Sequence, residues 1–231
     1  MERLPSNHPP GPKSGAHFRG GPIIVDGVSD LNDAAVKIAA TKALANVVPA
    51  PLGDAVVIVG DIYYDALMAL TRAGGYLCGS ADAARVHSWL CGPNGFNEEL
   101  AASGTAVVAV LSQSLNDARR ARFFMIEGAH VGPQSLHTDR NPATFVPIYR
   151  AKDLTDTAAI VHGIQGPQGR WRCCSIFTRD LRRAKWLAQA LNTDHVQVNW
   201  APSLSTGGRT NDKWAIDLDS AGALTSRSAQ G

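Results

Sequence analysis

The sequence predicts an α/β fold: a mostly parallel central sheet with helices on both faces. Three features predict it. The opening stretch from Phe18 to Val59 reads strand, helix, turn, strand. Thr105–Leu111 (TAVVAVL) is continuously apolar, as a parallel strand covered on both faces must be. From Thr144 onward strands and helices alternate regularly, which requires crossover connections between parallel strands.

In chain order, residues 1–15 are rich in Pro, Ser and Gly and have nothing to bury, so they read as a flexible leader. Residues 16–231 read as one domain. Gly20 and Gly21 precede the apolar run Pro22–Val25, and Asp30 opens a helical pattern through Leu31, Ala34, Ala35, Ile38 and Lys42. Pro49 and Pro51 end that pattern before the strand Ala55–Val59. Asp61–Arg72 is an expected helix, closed by Gly74 and Gly75; Ala81–Leu90 is a second, closed by Gly92 and Pro93. Ser112–Phe124 is expected to be helical. Glu127–Pro142 is polar, Gly- and Pro-rich, and long enough to border a site. Then come strand Thr144–Tyr149, helix Asp153–His162, strand Cys173–Phe177, helix Arg179–Leu191 and strand His195–Trp200.

A composition of 45% hydrophobic and 18% charged residues is that of a globular chain and excludes a solvated, disordered one. The formal charge of +2 gives no nucleic-acid signature. The Arg119/Arg120/Arg122 and Arg179/Arg182/Arg183 clusters read as solvated helix faces. The four cysteines, Cys78, Cys91, Cys173 and Cys174, form no C-x-x-C pair and no metal spacing, so free thiols and no metal are expected. Cys173 and Cys174 should face opposite sides of a strand. No secretory signal and no run of membrane-spanning length is visible. A cytoplasmic protein with no membrane or nucleic-acid partner is expected.

The runs TFVPIYRAKDLTDTAAIV, SIFTRDLRRAKWLAQAL and HVQVNWAPS resemble the carboxyl-terminal part of the aldehyde dehydrogenase superfamily. There a strand after a Phe-Gly-Pro motif leads through an acidic helix to an Ile-Phe-Thr strand and a Val-x-Val-Asn strand. Gly207-Gly208 and Ala223–Ser226 are similar to that family's late Gly-Gly turn and closing segment. Gly20-Gly21-Pro22-Ile23-Ile24-Val25-Asp26 with Asp30-Leu31 is similar to its Glu-Leu-Gly-Gly-Lys run and the helix start that follows. The likeness spans roughly residues 17–228 and is poor between Gly60 and Pro142.

What the resemblance implies conflicts with what stands at the family's reactive positions. The family uses a cysteine thiolate, a glutamate base and a dinucleotide that accepts hydride. Here the nucleophile's place falls at about Ala50 and the base's place near Phe18, beside His17. DRNPATFVPI stands where a glutamate would touch the cofactor ribose, with Asp139 and Arg140 nearest. No G-x-G-x-x-G loop appears, and the chain starts where the family's catalytic domain starts. The expectation is a stand-alone, degenerate catalytic domain that binds no cofactor and does not oxidise aldehydes with NAD.

A vacated pocket must be solvated, capped or used. The expected use is binding of a small apolar substrate and its cofactor-independent cyclisation or isomerisation. Arg140, His137 and Tyr64 are the expected catalytic groups, with Asn199, Trp200, Phe18 and His17 contacting substrate. Trp200 offers stacking, His17, His130 and His137 offer acid–base chemistry near neutral pH, and Tyr63, Tyr64 and Arg140 offer hydrogen bonds to a carbonyl. Helix-start tyrosines are mostly packing residues, a surface ion pair is the ordinary reading of Asp139–Arg140, and helix capping explains Asp26 and Asp61. Trp171, Trp186 and Trp214 read as structural. Two alternatives stand: a non-catalytic pseudoenzyme that assembles with itself or with a full-length aldehyde dehydrogenase, and residual thiol chemistry at Cys78 in GGYLCGS.

Overall fold

The structure is a computed structural model that describes residues 21–45, 55–92, 95–96, 121–128, 145–165, 173–191, 193, 195–199, 214–218 and 224–228. Its main sheet contains β1 (Ile23–Val25), β2 (Val56–Val59), β3 (Gly75–Leu77), β6 (Phe123–Glu127), β7 (Phe145–Ala151), β8 (Cys173–Phe177), β9 (His195–Val198), β10 (Trp214–Leu218) and β11 (Leu224–Ser228). Strands β4 (Cys91–Gly92) and β5 (Gly95–Phe96) form a separate small hairpin. The helices are α1 (Leu31–Ala45), α2 (Tyr63–Arg72), α3 (Ser80–Leu90), α4 (Leu154–Gln165) and α5 (Leu181–Leu191).

The main sheet runs β11-β10-β9-β8-β1-β2-β7-β6-β3. The seven strands from β9 to β3 are parallel, and β10 and β11 join antiparallel at one side. This is the α/β sheet the alternation of elements predicts. The buried stripes on the two faces of one strand explain the continuous apolar runs. Ile24, Val57, Val59 and Ile176 pack with Ala158, Val161, Ala184 and Leu187 on the α4/α5 side. Ile23, Val25, Val56 and Ile58 pack with Ala35, Ile38, Leu67 and Leu70 on the α1/α2 side. With both faces covered, no polar residue is tolerated in β1 or β2, and each fully buried Val or Ile contributes about 1.5–3 kcal/mol.

Three helices start on an aspartate, for a local reason. The Asp33 amide donates to Asp30 Oδ1 at 3.2 Å, the Asp156 amide to Asp153 Oδ1 at 2.8 Å, and the Arg182 amide to Asp180 Oδ1 at 2.9 Å. Each carboxylate satisfies a helix-terminal N–H that has no intrahelical acceptor. At α4 the arrangement is reciprocal, because the Lys152 amide donates to Asp156 Oδ2 at 2.8 Å. The same amide donors hold the Asp30 and Asp180 carboxyls below the ordinary aspartate range.

Some sequence expectations are corrected. Phe123 belongs to a strand, not to the end of a helix, because FFMIE fills the slot between β3 and β7 with four buried side chains. Gly75 does not merely close α2 but opens the short strand β3. Gly74 takes the left-handed conformation (φ +103°) that ends the helix, and a Cβ on Gly75 would lie 2.7 Å from the Phe123 ring and 3.0 Å from the Leu70 carbonyl. Asp61 does not cap α2: it lies in a short 3₁₀ turn, Gly60–Ile62, and no side-chain cap bond precedes the helix. The expected strand Thr105–Leu111, the leader at residues 1–15 and the Gly207-Gly208 turn lie outside the described residues.

Candidate functional site

In an open α/β sheet the usual binding crevice lies outside the carboxyl ends of the strands, where the strand order reverses. Here that point lies between β1 and β8. From β1 the chain crosses to β2 on one side through α1, and from β8 it crosses to β9 on the other through α5. The crevice at the reversal is filled by the protein's own side chains. Asp26, fully buried at the end of β1, accepts from Arg183 Nε at 2.8 Å and Nη2 at 2.6 Å. It also accepts from the Thr178 hydroxyl at 2.7 Å and the Gly27 amide at 2.8 Å. Every acceptor direction of the carboxylate is thus used, as burial of a charge requires.

The network continues across the strand ends. The Asn199 side chain pairs with the Thr178 backbone, accepting from its N–H at 2.9 Å and donating to its carbonyl at 2.8 Å. Asn199 sits at φ +56°, a left-handed conformation that Asn tolerates better than most residues. Its carbonyl accepts from Lys37 Nζ at 2.9 Å, and Lys37 also pairs with Asp33 at 2.6 Å. A chain of polar contacts therefore runs from α5 across the ends of β1, β8 and β9 to α1, tying both helical layers together. Asp26 is not a helix cap, and Arg183 is not part of a freely solvated face.

This arrangement does not fit a dinucleotide at the reversal point. A pyrophosphate there needs free backbone amides at the first strand-to-helix turn, whereas the Gly27 amide is already bonded to the buried Asp26 carboxylate.

Of the sequence-derived site residues, Tyr64 and Asn199 are described, and both lie beyond carboxyl ends of the parallel strands. Tyr64 is 65% exposed at the start of α2, beyond the carboxyl end of β2. Asn199 lies at the same edge but after β9, and β8 and β1 stand between those two strands. At about 4.8 Å per strand step, the ends of β2 and β9 stand roughly 14 Å apart. Asn199 is moreover committed to Thr178. Beside Tyr64, the buried Tyr63 donates to Glu127 at 2.7 Å, and the Arg150 guanidinium lies 5.6 Å and 5.7 Å from the centroids of the two tyrosine rings. Burial, then the Glu127 bond, pushes the Tyr63 phenol well above its ordinary range. His17, Phe18, Ala50, His130, His137, Asp139, Arg140, Trp171 and Trp200 lie outside the described residues, as does the side chain of Trp214.

Those residues share a feature of connectivity. In sequence, Phe18, Ala50 and Arg140 come shortly before β1, β2 and β7, which are neighbours in the sheet and parallel. The three described entry points Pro22, Ala55 and Phe145 are therefore adjacent at the amino edge, opposite Tyr64 and Asn199. The polar network at the carboxyl edge was missed by sequence reasoning because its key pair, Asp26 and Arg183, is separated by 157 positions. A buried-strand context for Asp26 was the one available signal.

Cys78 is 7% exposed, and burial followed by the nearby Asp82 charge pushes its thiol up to about 12. A thiolate nucleophile requires the opposite environment, so this residue does not supply one. Among the described residues no group of His, Cys, Asp and Glu is disposed to hold a metal, and no helix is long and apolar enough to cross a membrane.

No family model matches the sequence. The chain is 27% identical over 200 residues to the sulfoacetaldehyde dehydrogenase (acylating) of Cupriavidus necator, an alignment that takes in 84% of this chain and 40% of that protein. Among solved structures it resembles a propionaldehyde dehydrogenase from the Clostridium phytofermentans fucose utilisation bacterial microcompartment, with TM-score 0.69, 20% identity, and coverage of 82% of this chain and 43% of the other. A Rhodopseudomonas palustris propionaldehyde dehydrogenase with bound CoA and an acylated cysteine superimposes with TM-score 0.69, 16% identity, and coverage of 83% and 43%. These structures share the fold. The chain spans about two fifths of the length of the relatives it matches.

The relatives correct the expectation of a cofactor-independent cyclase or isomerase. The similar curated protein is an acylating aldehyde dehydrogenase, not a cyclase or an isomerase.

Proposed function

We propose that this chain is a counterpart of the catalytic domain of the acylating aldehyde dehydrogenases, acting on an aldehyde or an acyl thioester at the amino edge of the sheet. The observation that carries this reading is the adjacency of the entries to β1, β2 and β7. The resemblance places the family's base, nucleophile and cofactor-contacting residue just ahead of those same strands, near Phe18, Ala50 and Arg140. The described entries Pro22, Ala55 and Phe145, distant in sequence, lie side by side at one edge, and at the opposite edge the Asp26–Arg183 network fills the reversal point.

A finer part of the proposal concerns the covalent step. Acyl transfer in this chemistry needs a thiolate that attacks the carbonyl carbon, and position 50 carries a methyl group instead. The chain accordingly recognises the acyl substrate without forming a thioester at that position. The test is intact-mass analysis after incubation with propionyl-CoA, alongside absorbance at 340 nm with propionaldehyde, NAD and CoA. The wild-type chain is expected to carry no acyl adduct, and Ala50→Cys to acquire one that peptide mapping places at position 50. Acylation of the wild-type chain would remove the thiol-less reading. A folded Ala50→Cys variant that stays unmodified would remove the amino-edge site.

A further inference from the structure

Two exposed helix faces, on opposite sides of the sheet, are complementary. On the α1/α2 side, Tyr64 and Met68 stand one turn apart on α2, 65% and 58% exposed. Asp61 and Asp65 flank them, exposed and without an ion-pair partner among the described residues. Two cations share this face, Arg150 over the Tyr64 ring and the exposed Arg72 one turn beyond Met68, against three acids, Asp61, Asp65 and Glu127, which leaves a small acidic excess. On the other side, the outward stripe of α5 is Arg182, Lys185, Trp186 and Gln189, and the helix contains no acidic residue. Trp186 is 41% exposed, contrary to its reading as a structural residue. Arg182 is 93% exposed, and its 3.4 Å contact with Asp180 contributes little in water.

We propose that the α2 face of one copy docks on the α5 face of the next. Tyr64 and Met68 would meet Trp186, while Asp61 and Asp65 would meet Arg182 and Lys185. Burying a Trp, a Tyr and a Met at the centre of a contact with charges at its rim is the usual anatomy of an interface, and the charge pattern sets the orientation. The occupant is a second copy because this chain itself carries both halves in complementary form, one acidic and one basic, each around exposed apolar side chains. Since the halves lie on opposite faces, the contact is head to tail and repeats from copy to copy, yielding a ring or an open chain of subunits and not a two-fold dimer. The inference is independent of the proposed aldehyde chemistry.

Sedimentation velocity of the whole chain over a concentration series tests it, at low salt, where the Debye length is about 30 Å, and again at high salt. The wild-type chain should associate with increasing concentration, and less so at high salt. Arg182→Glu/Lys185→Glu and Asp61→Lys/Asp65→Lys should each weaken association by at least about tenfold. An equimolar mixture of the two should recover it, because the acidic α5 face of one variant then meets the basic α2 face of the other. Circular dichroism confirms that each variant is folded. A monomer at every concentration would overturn the proposal, as would association that survives either double variant or a mixture that fails to recover. Loss of binding to polyglutamate or anionic vesicles in the α5 variant, with self-association unchanged in both, would overturn it in favour of an anionic partner.

Discussion

Replacing Arg183 with Ala should be among the most damaging single changes outside the apolar core. The Asp26 carboxylate is fully buried and accepts from Arg183 through Nε at 2.8 Å and Nη2 at 2.6 Å. Charge-assisted bonds of this kind each contribute about 1.5–3 kcal/mol, and removing one partner of a buried pair leaves the other charge without compensation. Two considerations reduce the total. The Arg183 side chain is 36% exposed, so water can enter the space it leaves, and the Gly27 and Thr178 donors remain on Asp26. A loss of about 2–4 kcal/mol is expected. With a urea slope near 3 kcal/mol/M for a chain of this size, the midpoint should fall by about 1 M at unchanged slope. Arg183→Lys should recover part of this, since an ammonium restores the charge but not the two-pronged geometry. Arg182→Ala, one residue away and solvent-exposed, should change stability by less than about 0.5 kcal/mol. If Arg183→Ala unfolds within that same margin of the wild type, the network is not what closes the carboxyl edge.

Two further outcomes follow from the same physics. Asn199→Gly should be more stable than Asn199→Ala by about 1 kcal/mol, because both lose the paired bonds to Thr178 but only Ala is strained at φ +56°; thermal denaturation that ranks Ala equal to or above Gly would contradict the left-handed turn. For Cys78 the sign is set by a thiol whose value rises from 9.0 to about 12 on folding. Above about pH 9 the unfolded chain loses this proton while the folded chain keeps it, so stability is full below pH 9 and falls by up to about 1.4 kcal/mol per unit toward pH 12. Cys78→Ala should flatten that decline between pH 9 and 10, and the native thiol should resist Ellman's reagent at pH 8 until urea is added.

The parts of the fold that were legible in the sequence are those fixed by short-range rules. Asp30 and Asp153 start helices where the periodic pattern predicts them, because a carboxylate reaches the free amide three residues ahead, whereas the last of these helices starts on Asp180 and not on the expected Arg179. Continuous apolar runs mark β1 and β2 because both faces are covered. The misread segments are those where tertiary context overrides local preference. Phe123 follows a helix-like stretch yet is recruited into β6, and Gly75 reads as a stop signal although it begins an edge strand pressed against Phe123. Tyr64 and Asn199 lie at element ends, Tyr64 at the start of α2 and Asn199 just after β9. Which edge of the sheet an end belongs to is not written in local sequence.

The sequence alone therefore determined the class of fold, the helix start at Asp30 and the buried strands β1 and β2. Those properties depend on neighbours within a few residues or on periodicity, and a chain carries both in order. Only the tertiary structure decided that β1, β2 and β7 lie side by side with their entries at one edge, and that Asp26 meets Arg183 across 157 positions at the other. Strand order and long-range pairing arise from burying two apolar faces at once, and that is a property of the assembled layers, not of any segment.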